Sequence, residues 1–251
     1  MRILFISDPH LSPSNDFYLE NVLERENYDI ILSAGDLDEV PKHFKKYGIN
    51  TIYGNHDDVE LLAKRTNLLN ELKNPAGANV VQVGDLVACV LGGAVVRDNY
   101  SYPETWHTPE DYLQGYFVIK KKLQNEYGKC DVLITHDSPL SLVEFEKQHI
   151  SQKEKLNVDY KSYRDVFDVI AKLLSPKLYL CGHVHSTSVT TSIIKNFDIY
   201  SNTADVPVVK NIFMRDKIYT VIDLQKNKVE ARDWFGNLID KIELYNTKII
   251  P

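Results

Sequence analysis

The chain has little cysteine: Cys89, Cys130 and Cys181 are odd in number, widely spaced and without a CxxC pair. That argues against both a disulfide framework and a thiolate zinc site, and each is expected to be a small buried hydrophobe in a reducing compartment. Positive charge is also short, with 29 Lys and Arg against 35 Asp and Glu and a formal net charge of -6. A broad basic surface, which non-specific nucleic-acid binding requires, is therefore not expected, although a local basic groove is compatible with this balance. Charges or turn residues interrupt every apolar run before it could cross a bilayer, so no membrane span is expected. A strand-like run, Arg2 to Ser7, starts directly after Met1 and leaves no room for a secretory leader. A soluble, cytoplasmic protein is the expectation. No Gly/Ser/Pro-rich linker, repeat or low-complexity tract divides residues 1–251, so one domain is expected.

What is present is an alternation of short apolar runs and helical periodicity. RILFIS (2–7), DIILSA (29–34) and TIY (51–53) read as buried strands. Between the first two, Phe17 to Leu23 recurs at helical spacing, and a shorter helix fits 40–47 after Pro41. Val59 to Leu72 suggests a further helix ended by Asn74-Pro75 and Gly77. Val80–Val83 and Leu86–Leu91 flank Gly84-Asp85 as in a hairpin. Residues 92–110 have no steady period and read as a long loop. Leu113–Tyr127 and Tyr163–Leu174 look helical, Val132–Thr135 and Leu178–Cys181 look like strands, and 218–224 with 229–234 read as a late hairpin.

The polar residues fall where the strands end. Asp8 and His10 follow the first strand, Gly35-Asp36 the second and Gly54-Asn55-His56-Asp57 the third. His136 follows Val132–Thr135, and Gly182-His183-Val184-His185 follows Leu178–Cys181. Ligand sites in α/β sheets form beyond the carboxyl ends of strands, so these side chains would converge. Taken singly, each has a bland explanation: an Asp or Asn after a strand is more often a turn former or helix cap, and a lone His is more often hydrogen-bonded than metal-bound. Five strand ends carrying carboxylate, imidazole or amide ligands together point instead to Mn, Fe, Zn or Ni bound for catalysis.

In that order, Asp8-Pro9-His10, Gly35-Asp36-Leu37-Asp38-Glu39, Gly54-Asn55-His56-Asp57, His136 and Gly182-His183-Val184-His185 resemble the motifs of the calcineurin-like metallophosphoesterases. The resemblance spans residues 8–185 and implies a four-layer α/β/β/α sandwich of two mixed sheets flanked by helices. Residues 186–251 would complete the second sheet. It further implies two metal ions: Asp8, His10 and His185 would hold one, Asn55, His136 and His183 the other, with Asp36 as the bridge. Metal-bound hydroxide would be the nucleophile. His56 resembles the family's catalytic histidine, Asp57 would orient its ring, and Asp38 and Glu39 would support the site from behind or face solvent.

The substrate is less legible. Arg97, Tyr100, Tyr102, Trp106 and His107 cluster in the irregular segment. Arg97 and His107 are candidates for substrate binding, since a guanidinium suits phosphate and aromatic faces suit a base; the same aromatics could equally anchor the loop on the core. No long insertion separates the motifs, which favours a small phosphoester over nucleic acid; their compact order resembles the small phosphodiesterase branch of the family, which implies phosphodiesters, including cyclic nucleotides, ahead of phosphomonoesters. Two other readings stay open. Protein-phosphatase activity is disfavoured because Glu39-Val40 and Asp58 stand where arginines would be expected, and a non-catalytic scaffold is disfavoured by the complete ligand set. Self-association through the C-terminal residues is compatible with the sequence.

Overall fold

The structure is a computed structural model, and it describes residues 1–96, 103–139, 163–183, 191–194 and 206–244. Two sheets form its centre. In the first, β1 (Arg2–Ile6), β2 (Ile30–Ser33), β3 (Asn50–Thr51) and β4 (Asn67–Leu68) run parallel. In the second, β5 (Asn79–Val83) and β6 (Leu86–Leu91) form the expected hairpin, with Gly84 at φ +57° in its turn. After β6 the chain makes a two-stranded ribbon, β7 (Ala94–Val95) with β8 (Trp106–His107), and then a helix, Pro109–Lys122. Thr108 caps that helix in a reciprocal box with Asp111, which satisfies two of its orphan N–H groups. It then returns to the second sheet as β9 (Val132–Thr135), parallel to β6, and β10 (Leu178–Cys181), parallel to β9.

The burial pattern shows why the strands are continuous apolar runs. Side chains alternate faces along a strand, and here both faces are covered. Ile3 and Phe5 of β1 meet Ala88, Val90, Val132, Ile134, Leu178 and Leu180 between the sheets. Leu4 and Ile6 turn the other way, onto Leu19, Val22 and Leu23 of the helix Asp16–Arg25. On the far side Leu133, Tyr179 and Cys181 pack under Tyr112, Tyr116 and Ile119 of Pro109–Lys122 and under Phe167 and Ile170 of Asp165–Leu174. The result is the α/β/β/α sandwich. Truncating one of these fully buried leucines to alanine costs about 2–5 kcal/mol.

Three expectations need correction. The helix read over 59–72 stops at Arg65, because Thr66 is extended and Asn67–Leu68 join the sheet beside Asn50–Thr51. The segment 92–110 is not all loop, since it contains the ribbon β7–β8. The strands after residue 186 do not all complete the second sheet. Thr191–Ile194 (β11) and Val208–Asn211 (β12) do join it. In contrast β13 (Ile218–Asp223), β14 (Lys228–Asp233) and β15 (Leu238–Glu243) extend the first sheet, with β13 antiparallel to β1. All three cysteines are free and buried, and no helix among the described residues is long and apolar enough to cross a membrane.

Candidate metal centre

The parallel strands of both sheets end at one rim, and their continuation there is built by backbone pairing. Asp8 N–H donates to Gly35 O, His10 N–H to Asp36 O and Leu11 N–H to Leu37 O, so the loops after β1 and β2 run side by side. Four non-glycine residues on these loops are left-handed, Asp8 (φ 51°), His10 (44°), Asp36 (52°) and Asp38 (55°), and so is His183 (63°) after β10. Each costs of order 1 kcal/mol, and such outliers collect at functional sites. Gly54 is required where it stands, because a Cβ there would lie 2.0 Å from Asp36 Oδ1. Gly182 is required for the same reason, with a Cβ 2.2 Å from Asp8 Oδ2.

This geometry gathers two groups of metal-compatible side chains. Asp8, His10 and Asp36 form one, Asp36, His136 and His183 the other, and within each group the ligand atoms lie within 4.8 Å of one another. Asp36 is common to both. Asn55 joins the second, its Oδ1 lying 2.9 Å from His136 Nε2. His185 and Arg97 lie outside the described residues.

The ring nitrogens are aimed by their other contacts. Ala34 O accepts from His136 Nδ1 at 2.7 Å, which leaves Nε2 facing Asp36 Oδ2 at 3.4 Å. The Asp38 carboxylate accepts from His10 Nδ1 at 2.9 Å, so Nε2 faces Asp36 Oδ2 at 3.7 Å. Asp8 is held by Ser7 Oγ at 2.6 Å and by the His183 N–H at 3.0 Å.

The electrostatics match a cation site. Burial pulls the His136 pKa down, but the Asp36 carboxylate beside it prevails and raises it to about 10. His10 behaves alike: burial opposes, and the Asp38 hydrogen bond with the Asp36 charge raises it. Burial would raise Asp36, yet His136 holds it well below the usual carboxylate range. Protons on imidazole thus offset the carboxylate charge, a task divalent cations take over when they bind and displace them. His183 is instead pushed down to about 4, first by burial and then by the neighbouring His136, which leaves a neutral ring with a lone pair to offer. Donors of this kind, nitrogen and oxygen without thiolate, fit Mn, Fe, Zn or Ni.

His56 projects at the rim, exposed, with its ring 5.2 Å from that of His10 and its N–H donating to Asp36 Oδ1 at 3.0 Å. Asp57, the residue expected to orient that ring, is itself held by the backbone. Its carboxylate accepts the N–H groups of Gly54 (2.7 Å), Asp36 (2.9 Å) and Asp38 (2.9 Å), tying the second and third loops together. Burial pushes its pKa up to about 6, the Gly54 N–H opposing and the Asp36 charge adding to the rise. The cap of the following helix comes from Asp58, whose side chain accepts from Leu61 N–H. His107 donates or accepts at Tyr53 Oη (3.0 Å) and packs on Tyr112, so it faces the core side of its ribbon.

Two further residues of the site have no motif to announce them. Asp137, directly after His136, is fully buried and receives Nε and Nη2 of Arg164 at 2.8 and 3.1 Å. It also accepts Val95 N–H at 3.1 Å, joining the His136 loop to the ribbon β7–β8. The adjacency of Asp137 to a candidate ligand is its only sequence signal; nothing marks Arg164.

The chain belongs to the calcineurin-like phosphoesterase family, whose sequence model matches residues 1–187. Membership supports the coarse class, a hydrolase of phosphoester bonds, in a family that uses divalent metals. Among solved structures, the protein TT1561 of Thermus thermophilus is similar at TM-score 0.60 and 14% identity, over 93% of this chain and 98% of that one. That likeness shows a shared fold. An archaeal protein described as a novel phosphodiesterase aligns at TM-score 0.44 and 14% identity, over 92% and 98% of the two chains. YfcE, a phosphoesterase from E. coli, aligns at TM-score 0.43 and 9% identity, over 98% and 100%. Comparison with curated proteins gives no significant match.

Proposed function

We propose that the protein hydrolyses phosphodiester bonds of a small substrate at a two-metal centre. The observation that carries this reading is the sharing of Asp36 by two ligand groups, one from each side of the rim. Asp8 and His10, with His185 by its motif position, would hold one ion, and Asn55, His136 and His183 the other. Two cations held there supply positive charge for the phosphoryl oxygens and an acidified water.

The protein's own groups do the remaining work. His56, exposed beside His10, would donate a proton to the leaving oxygen. Asp57 acts through the backbone, fixing the loops that carry Asp36 and Asn55. Ala34 O and Asp38 hold the two histidine rings in the tautomer that presents Nε2. The cytoplasmic setting and the preference for diesters over monoesters belong to the same proposal.

The test is a parallel assay of an aryl phosphodiester and an aryl phosphomonoester with Mn²⁺, alongside elemental analysis of the purified protein. Diester turnover with about two metal ions per chain is expected. Folded, metal-loaded protein inactive on both esters would overturn the reading.

A further inference from the structure

One aromatic side chain at the rim has no part in holding metal. Neighbouring residues of a strand point to opposite sides, so when His107 packs inward on Tyr53 and Tyr112, Trp106 is directed to the other side of the ribbon. There its partly exposed ring stands edge-on to the imidazole of His183, with centroids 6.0 Å apart and an interplanar angle of 83°.

The segment that carries it is clamped. Ala94 N–H donates to Thr105 O (3.1 Å), Val96 N–H to His107 O (2.9 Å) and Trp106 N–H to Pro103 O (3.0 Å). Gly93, at φ +70°, lets the ribbon close; a Cβ there would lie 2.0 Å from Thr105 O. Thr105 Oγ1 donates to Asn55 O at 3.0 Å, tying the ribbon to a candidate metal ligand. An aromatic carried on a clamped ribbon beside a candidate ligand takes a planar group at a smaller ordering cost than one on a loose loop.

We infer that Trp106 forms the aromatic wall of the substrate pocket and receives a planar aromatic group, nucleobase or aryl ring, carried by the phosphoester. This rests on the phosphoester reading above and adds the class of substrate. Net charge does not oppose it, because a single stacked ring needs no extended basic surface.

Two tryptophans are present, so Trp234→Phe leaves Trp106 as the sole indole reporter; Trp234 itself packs on Tyr18 at 4.8 Å, within the aromatic group at the Asp16–Arg25 helix. In the Mn²⁺-loaded Trp234→Phe protein, adenosine 5′-phosphate should quench the fluorescence and bind at least about 5-fold more tightly than ribose 5-phosphate, as base stacking on an aromatic implies. Phenyl phosphate against methyl phosphate separates an aryl ring from a nucleobase. Calorimetry on Trp106→Ala should show the discrimination lost and the affinity for ribose 5-phosphate kept, while Trp106→Phe should retain most of both.

Equal binding within both pairs, or parallel loss of all four ligands in Trp106→Ala, would overturn the inference. Hydrolysis of the aryl diester, measured on the same samples, separates the two readings. Turnover without aromatic preference removes the wall and leaves the phosphoesterase; aromatic-dependent quenching without turnover does the opposite.

Discussion

The two halves of the candidate centre are built to different standards. The half around His136 is sealed: the ring is fully buried, fixed by a main-chain carbonyl and backed by the Asp137–Arg164 ion pair. The half around His10 is open, since that ring is partly exposed and leans on Asp38, a side chain 28% accessible to solvent. A carbonyl in a sheet-end loop cannot rotate away, whereas an aspartate can. The sealed half is therefore the rigid template, and the open half is the one expected to exchange its ion more readily.

The largest effect comes from removing what the halves share. Asp36→Ala should lower kcat/KM at least about 10³-fold, since on the two-metal proposal several kcal/mol of charge stabilisation would depend on the ions it would join. Elemental analysis should show loss from both positions, and retention of two tight ions would contradict the bridge.

Next is the backing of the sealed half. Arg164→Ala leaves the buried Asp137 carboxylate uncompensated and should cost about 3–5 kcal/mol of stability in urea unfolding. A loss below about 1 kcal/mol, the level of an exposed pair, would show that it does not brace this half.

His56→Ala should lower kcat about 10²–10⁴-fold, the usual share of a proton donor, with both metals retained. Metal loss in this variant would move His56 from proton transfer to structure.

The smallest change sharpens the contrast most. Asp38→Asn should weaken one Mn²⁺ about 10–100-fold in calorimetry and leave the other nearly unchanged. Equal weakening of both would mean that the halves are not independent.

Much of this is legible in the sequence, for local reasons. Strands covered on both faces must be apolar throughout, so β1, β2, β9 and β10 stand out, and the polar residues at their ends stand out against them. The helix from Val59 reads too long because Leu68 and Leu69 continue its apolar spacing, although Leu69 in fact packs between the sheets. The antiparallel pairing of β13 with β1 joins residues more than 200 positions apart, and no local pattern encodes that choice. Asp57 reads as a partner of His56 by adjacency, but its oxygens are taken by three backbone N–H groups, two of them brought back from the neighbouring loop. Arg164 is 27 residues from Asp137, and a lone arginine before a helix carries no signature of a buried pair.

The tight approach of Gly182 to Ser7 and Asp8 links a loop of the second sheet to the end of β1 in the first. With no side chain between them, the separation of the two candidate ligand groups follows how closely the sheets stack. The sandwich serves as a gauge: enlarging a residue in its middle layer, such as Ala88, should widen the spacing at the rim from a distance, altering which pairs of ions the centre accepts without touching a single ligand.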